Sequence, residues 1–136
     1  MRIAAIAGCL VLAGTSWTGQ AGEAGEAGDA GEADGLPDAL EAGWKGEKVC
    51  DLLHEDTQIR VLRCTFPPGV GHELHYHPPH FGYIEAGGTM RVTDASGSRD
   101  ITSAAGHTWQ SSETSQHEAL NVGNTTSVAL VVEKKY

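Results

Sequence analysis

The chain predicts an all-β fold, a small antiparallel sandwich or barrel, on three observations. Short runs rich in Val, Ile, Leu, Thr and Tyr recur from residue 48 to residue 133. Turn residues separate them: Pro67-Pro68-Gly69, Gly87-Gly88, Ala95-Ser96-Gly97 and Gly123-Asn124. No helical stretch lies between them, which excludes a parallel sheet built on crossover helices. The expected strands are 48–53, 59–66, 73–77, 81–85, 89–94, 99–102, 117–122 and 127–133. About ninety residues of this text can close a barrel around side chains or one small ligand.

What precedes the strands is different in kind. Arg2, an apolar stretch over residues 3–17 and the small residues Gly19-Gln20-Ala21 read as a secretory signal cleaved near Ala21. The mature protein is therefore expected in the periplasm or outside the cell. The apolar run is too short for a comfortable membrane span. Ile6-Ala7-Gly8-Cys9 looks like a lipoprotein box but has almost no apolar chain before it, so no lipid anchor at Cys9 is expected. Residues 22–35 form an acidic, Gly- and Ala-rich tract with no proline and no large apolar residue, expected to be a disordered, solvated linker. In residues 36–43, Pro37 suits a first helical position and Gly43 a stop, so one short helix is expected there. The domain proper then spans 36–136.

The acidity belongs to this leading part. Residues 22–43 hold seven of the eighteen acids and no base, whereas from Trp44 onward eleven acids face eight bases, a net of −3. A domain so balanced is not a nucleic-acid binder.

Histidine carries the chemistry. Of seven histidines, His72, His75, His77 and His80 fall within nine residues. Residues i and i+2 of a strand share a face, so His75 and His77 can aim two imidazoles at one point. His117 follows forty residues after His77 and supplies a third from elsewhere in the fold. Three neutral imidazoles suit Fe²⁺, Zn²⁺, Ni²⁺ or Cu²⁺, and Mn²⁺ if harder donors join them. They leave positions open for water or substrate. His72 and His107 read as ordinary hydrogen-bonded histidines, and His54 as a solvated one. By alternation Glu118 faces away from His117, and Asn121 shares the face of His117, where it could orient a ligand. Phe81, Tyr83, Met90 and Trp109 are candidates to line a substrate pocket. Cys50 and Cys64 fall on consecutive expected strands; a cross-strand disulfide and a pair of buried thiols are both open.

Gly69, five residues, then His75-Tyr76-His77, joined to His117-Glu118-Ala119-Leu120-Asn121, resembles the two motifs of the cupins, in particular of small single-domain bacterial members. The resemblance covers about residues 48–134 and implies an antiparallel jelly-roll barrel. The glutamate of the first motif is missing. Counting seven residues back from Gly87 lands on His80, which the resemblance makes a fourth ligand. The second motif lacks its proline. The resemblance implies a divalent transition metal on His75, His77, His80 and His117, and a small-molecule ligand. It further implies either a dioxygenase-, lyase- or isomerase-like reaction on a small organic acid or a non-catalytic binding module. A homodimer is left open.

Overall fold

The computed structural model describes residues 35–136; the expected signal segment and nearly all of the acidic tract lie outside them. Eleven strands are present among the described residues. They are β1 (Gly43–Trp44), β2 (Glu47–Lys48), β3 (Cys50–Glu55), β4 (Ile59–Phe66), β5 (Gly71–His77), β6 (His80–Ala86), β7 (Gly88–Asp94), β8 (Gly97–Ser103), β9 (Thr108–Ser111), β10 (Ser115–Asn121) and β11 (Ser127–Lys134). One sheet has the order β5-β10-β7-β8 and the other β3-β4-β11-β6-β9, with β1-β2 a small separate hairpin. Each of these pairings is antiparallel. The all-β jelly roll is thus as expected. β9 is an addition to the expected set: residues 104–116 are polar, and only Trp109 there carries a large apolar side chain.

Alternation explains how the sheets make an interior. In β11, Ser127, Ala129, Val131 and Glu133 point inward and are buried, while the residues between them are half-buried. In β4, Leu62, Cys64 and Phe66 do the same, and with Val131, Cys50 and Ala39 they form the core. Gly82 in β6 has a packing reason: a Cβ there would meet the Trp109 ring at 2.1 Å, so the absent side chain admits the indole from β9.

Residues 36–43 are not a helix. Asp38 Oδ1 accepts the N–H groups of Leu40 and Glu41, and Ala42 N–H donates to the Asp38 carbonyl at 2.9 Å. That is one capped helical turn. It stops because Asp38 bridges to Tyr76 of β5 and Gly43 enters β1, so pairing with the barrel wins over extending a turn too short to stand alone. Among the described residues no helix is long and apolar enough to cross a membrane.

Cys50 and Cys64 lie opposite each other on β3 and β4 and are joined as a disulfide, with both side chains buried. The closed loop has a sequence separation of 14 residues. Closing a loop of that size removes roughly 3 kcal/mol of unfolded-chain entropy. Adding a reductant is therefore expected to lower the unfolding free energy by about 2–4 kcal/mol. Paired urea titrations with and without dithiothreitol check this; coincident midpoints would show that the bond contributes nothing.

Candidate metal centre

β5 and β10 supply the site. Their register pairs His75 with His117 and His77 with Ser115, which puts His75, His77 and His117 on the inner face of the four-stranded sheet. His75 and His77 are buried, and His117 is half-buried. One donor nitrogen from each lies within 4.8 Å of the other two. The rings of His75 and His117 are 4.7 Å apart between centroids, and those of His77 and His117 5.2 Å.

The protonation states follow from the partners. His75 Nδ1–H donates to the Glu73 carbonyl at 2.6 Å. A carbonyl can only accept, so the proton sits on Nδ1 and Nε2 keeps its lone pair. His77 Nδ1–H donates to Glu133 Oε1 at 2.7 Å. Glu133 Oε2 accepts from Arg60 Nε–H at 2.7 Å and ion-pairs with Arg60 Nη2 at 2.6 Å, so the carboxylate too is an acceptor. Burial pushes the Glu133 carboxyl above its ordinary range, and Arg60 opposes the rise. Burial holds His77 well below the usual imidazole range, reinforced by His117 and His80. Burial and the neighbouring His72, His77 and His117 likewise lower His75 to about 2. His117 is lowered to about 4, again chiefly by burial. All three rings are neutral near pH 7.

This makes a test of fit. The Nε2 atoms of His75 and His77 lie 2.9 Å apart, and both carry lone pairs because both protons are committed to Nδ1. Two acceptors at that distance repel; a cation between them converts the contact into ligation. The separation also matches two nitrogens each about 2.1 Å from one ion. The residues present fit a divalent transition metal, and the carboxylate behind His77 is the usual outer support of a metal-bound imidazole.

The other candidates fall differently. His80 is buried on β6 beside His77, with ring centroids 4.9 Å apart, but its nitrogens are engaged. Nδ1–H donates to the Pro78 carbonyl at 2.9 Å, and Nε2 accepts from Trp109 Nε1–H at 3.3 Å. It stands outside the three-nitrogen cluster, and its two nitrogens face Pro78 and Trp109. Asn121 is buried, yet its amide donates to the carbonyls of Phe66 and Thr125 and its oxygen accepts from Gly123 N–H. It latches the turn between β10 and β11 and makes none of these bonds to a histidine, contrary to its expected orienting role. Phe81 and Tyr83 are 45% and 40% exposed, on the outer face. With His80 inward, its neighbour Phe81 must point out, and Tyr83 follows by period two. Met90 and Trp109 do line the interior. Glu118 is exposed, on the side expected.

The interior holds a cavity of about 450 Å³. Its wall includes His77 and His117, the apolar Met90, Val92 and Ile101, and Trp109. Asp94 and Arg99, which form an ion pair at 2.7 Å, also belong to its lining.

His72, expected as an ordinary hydrogen-bonded histidine, joins the cluster against His75. Strict alternation puts it opposite His75. Between the pairs His117–His75 and Ala119–His72, however, the register slips by one residue, so Glu73 and Leu74 together oppose Glu118. This bulge turns His72 inward. It is 2% exposed, its ring stacks on His75 at 3.7 Å, and its Nε2 has no hydrogen-bond partner among the described residues.

No protein-family model matches the chain. No curated protein matches it either. Solved structures do. A cupin domain from Bordetella pertussis superposes with a TM-score of 0.61 at 20% identity, covering 74% of this chain and 97% of that one. A double-stranded β-helix protein from Klebsiella pneumoniae gives 0.56 at 19% identity, over 67% and 75%. The polyketide cyclase RemF from Streptomyces resistomycificus gives 0.54 at 17% identity, over 71% and 75%. The fold is the cupin fold, an RmlC-like double-stranded β-helix, and its interior carries a histidine cluster suited to a transition metal.

Proposed function

We propose that this protein is an exported, metal-dependent cupin that acts on a small organic acid. One observation carries the reading: three neutral imidazole nitrogens converge beside a cavity with apolar walls. His75, His77 and His117 would hold the ion, with Fe²⁺, Zn²⁺, Mn²⁺, Ni²⁺ and Cu²⁺ as the candidates. When bound, such an ion supplies a Lewis acid and, if iron, a site for dioxygen.

The remaining work falls to the chain. Glu133 and the Glu73 carbonyl fix the two imidazole tautomers, so the lone pairs point inward before any ligand arrives. Met90, Val92, Ile101 and Trp109 offer an apolar wall that excludes water from one side of a bound molecule. Arg99 and Asp94 add an ion pair to the same lining, which gives a polar group on the ligand a partner of either sign. A dioxygenase-, lyase- or isomerase-like reaction is compatible with this set. One similar structure is a cyclase, and at that identity the likeness extends to fold and not to substrate. The Cys50–Cys64 disulfide supports export, since such bonds persist in oxidising compartments. The outward Phe81 and Tyr83 give a homodimer an apolar surface to use.

Cobalt-substituted protein tests the reading. Azide or small carboxylates are expected to change its visible spectrum saturably, because a three-ligand site keeps exchangeable positions. An unchanged spectrum at every concentration would mean a closed site and leave a non-catalytic binding module.

A further inference from the structure

The segment before β3 lies across the histidine-bearing strand. Tyr76 N–H of β5 donates to the Pro37 carbonyl at 3.1 Å, and Asp38 bridges to Tyr76. Lys45 N–H donates to Glu73 Oε1 at 2.9 Å. The Trp44 ring packs so tightly on β5 that a Cβ on Gly71 would meet it at 2.7 Å. Ala39, at the centre of the turn, is fully buried in the core.

A chain of charge-assisted hydrogen bonds joins this strap to the candidate ligand His77. Asp38 Oδ2 accepts from Arg60 Nη1 at 2.7 Å. The same guanidinium donates Nε–H to Glu133 Oε2 and ion-pairs with it through Nη2, and Glu133 Oε1 accepts from His77 Nδ1–H. Side-chain exposures along the chain are 19% for Asp38, 13% for Arg60 and 1% for Glu133. The chain is therefore screened from solvent over most of its length. Two carboxylates share one guanidinium, leaving an excess negative charge behind His77 that a cation on the other side of the ring offsets. Asp38 also uses its second oxygen to cap the strap's turn. The group that ends the chain is the one that folds the strap.

We propose that Glu133, Arg60 and Asp38 are positioning residues for the metal ligand His77, and that through them metal loading and docking of the strap at residues 37–44 are reciprocally coupled. The inference rests on the metal reading above. Linkage makes the coupling symmetric: whatever the ion does to tighten the strap, the docked strap does to tighten the ion. Removing an outer carboxylate from a metal-bound histidine weakens affinity about 10–100-fold. Glu133→Gln is expected to do this for Co²⁺. Asp38→Asn, whose amide still caps the turn, should have a smaller effect, about fivefold, the low end of coupling between sites, because it acts on His77 through two intervening groups.

The test is hydrogen exchange of the full-length protein, followed at Leu40, Glu41 and Ala42, with and without saturating Co²⁺. Wild type is expected to gain several-fold protection at these amides on loading. Asp38→Asn should keep the cobalt spectrum and lose the gain. Glu133→Gln should need a higher Co²⁺ concentration and show a shifted cobalt band. If Glu133→Gln fails to fold, Asp38→Asn alone decides. Equal protection with and without cobalt in wild type overturns the coupling, as does a gain that persists in Asp38→Asn. A wild type that takes up no Co²⁺ overturns the metal reading together with the coupling.

Discussion

Replacing His77 by alanine is expected to abolish stoichiometric binding of a divalent transition metal, and His117→Ala to do the same. Each removes one of three nitrogens that meet within 4.8 Å. Binding free energies of ~10 kcal/mol or more for protein-held zinc, divided among the ligands, give about 3 kcal/mol each. That is about a hundredfold in Kd per ligand. His77→Ala should cost more than this share. It also strands the Glu133 carboxylate, which loses its Nδ1–H donor while staying buried. His80→Ala separates the two assignments of that histidine. Its Nε2 is occupied by Trp109, so metal content should hold while the Trp109 fluorescence changes. Elemental analysis of protein purified under mild conditions, and competition against a chromogenic chelator, give the content and the affinity. Saturating metal should raise the stability of wild type by about 2.7 kcal/mol at a hundred times Kd, and that of His77→Ala by no more than about 0.4 kcal/mol at that concentration. Full occupancy in a His75→Ala, His77→Ala double variant would place the metal elsewhere.

What could be read from the chain, and what could not, divides along the physics of periodicity. Period two placed His75 and His77 on one face and Glu118 opposite His117, and the structure agrees because those stretches of β5 and β10 are regular. For His72 the same rule points outward, and it is a bulge with one added residue that turns the ring in; nothing in Glu73-Leu74 announces one. Phe81 and Tyr83 were misplaced for the opposite reason. Alternation forbids His80 and Phe81 from sharing a face, and only His80 points in. Glu133 went unnoticed although a signal existed. It has the parity of Ser127, Ala129 and Val131, so an acid stood at a core position of an otherwise apolar strand. An acid there needs a buried partner. Which partner depends on the β11–β4 and β11–β6 registers, which set Glu133 against Arg60 and His80 and which local sequence does not encode. The helix expected at residues 36–43 from Pro37 and Gly43 is absent; a single turn capped by Asp38 stands there, and pairing with β5 stops it from extending.

Metal-free protein is expected to unfold on mild acidification. Burial is the leading cause that lowers His72, His75, His77 and His117 below their ordinary value of 6.5, with His75 at about 2 and His117 at about 4. In the unfolded chain the same rings titrate near 6.5. Below that pH the unfolded state binds protons that the folded state refuses. Stability is therefore fully present above 6.5 and falls as the pH drops toward the folded-state values. Each histidine contributes about 1.4 kcal/mol per pH unit in this window, so four together approach about 5 kcal/mol per unit. Glu133 acts in the other sense, since its carboxyl is raised and the folded state gains from its protonation; one group opposes four. Against a typical total of about 5–15 kcal/mol, one to three pH units suffice. The acid midpoint of the metal-free protein should then fall between about pH 5.5 and pH 3.5. Loading with metal stabilises only the folded state, so the midpoint should move to lower pH by mass action. Near-ultraviolet circular dichroism and tryptophan fluorescence, read along an acid titration with and without chelator, measure both midpoints. A metal-free protein that keeps its tertiary signal down to pH 3 would mean that these imidazoles accept protons in place, and that the paired lone pairs of His75 and His77 are not the arrangement in solution.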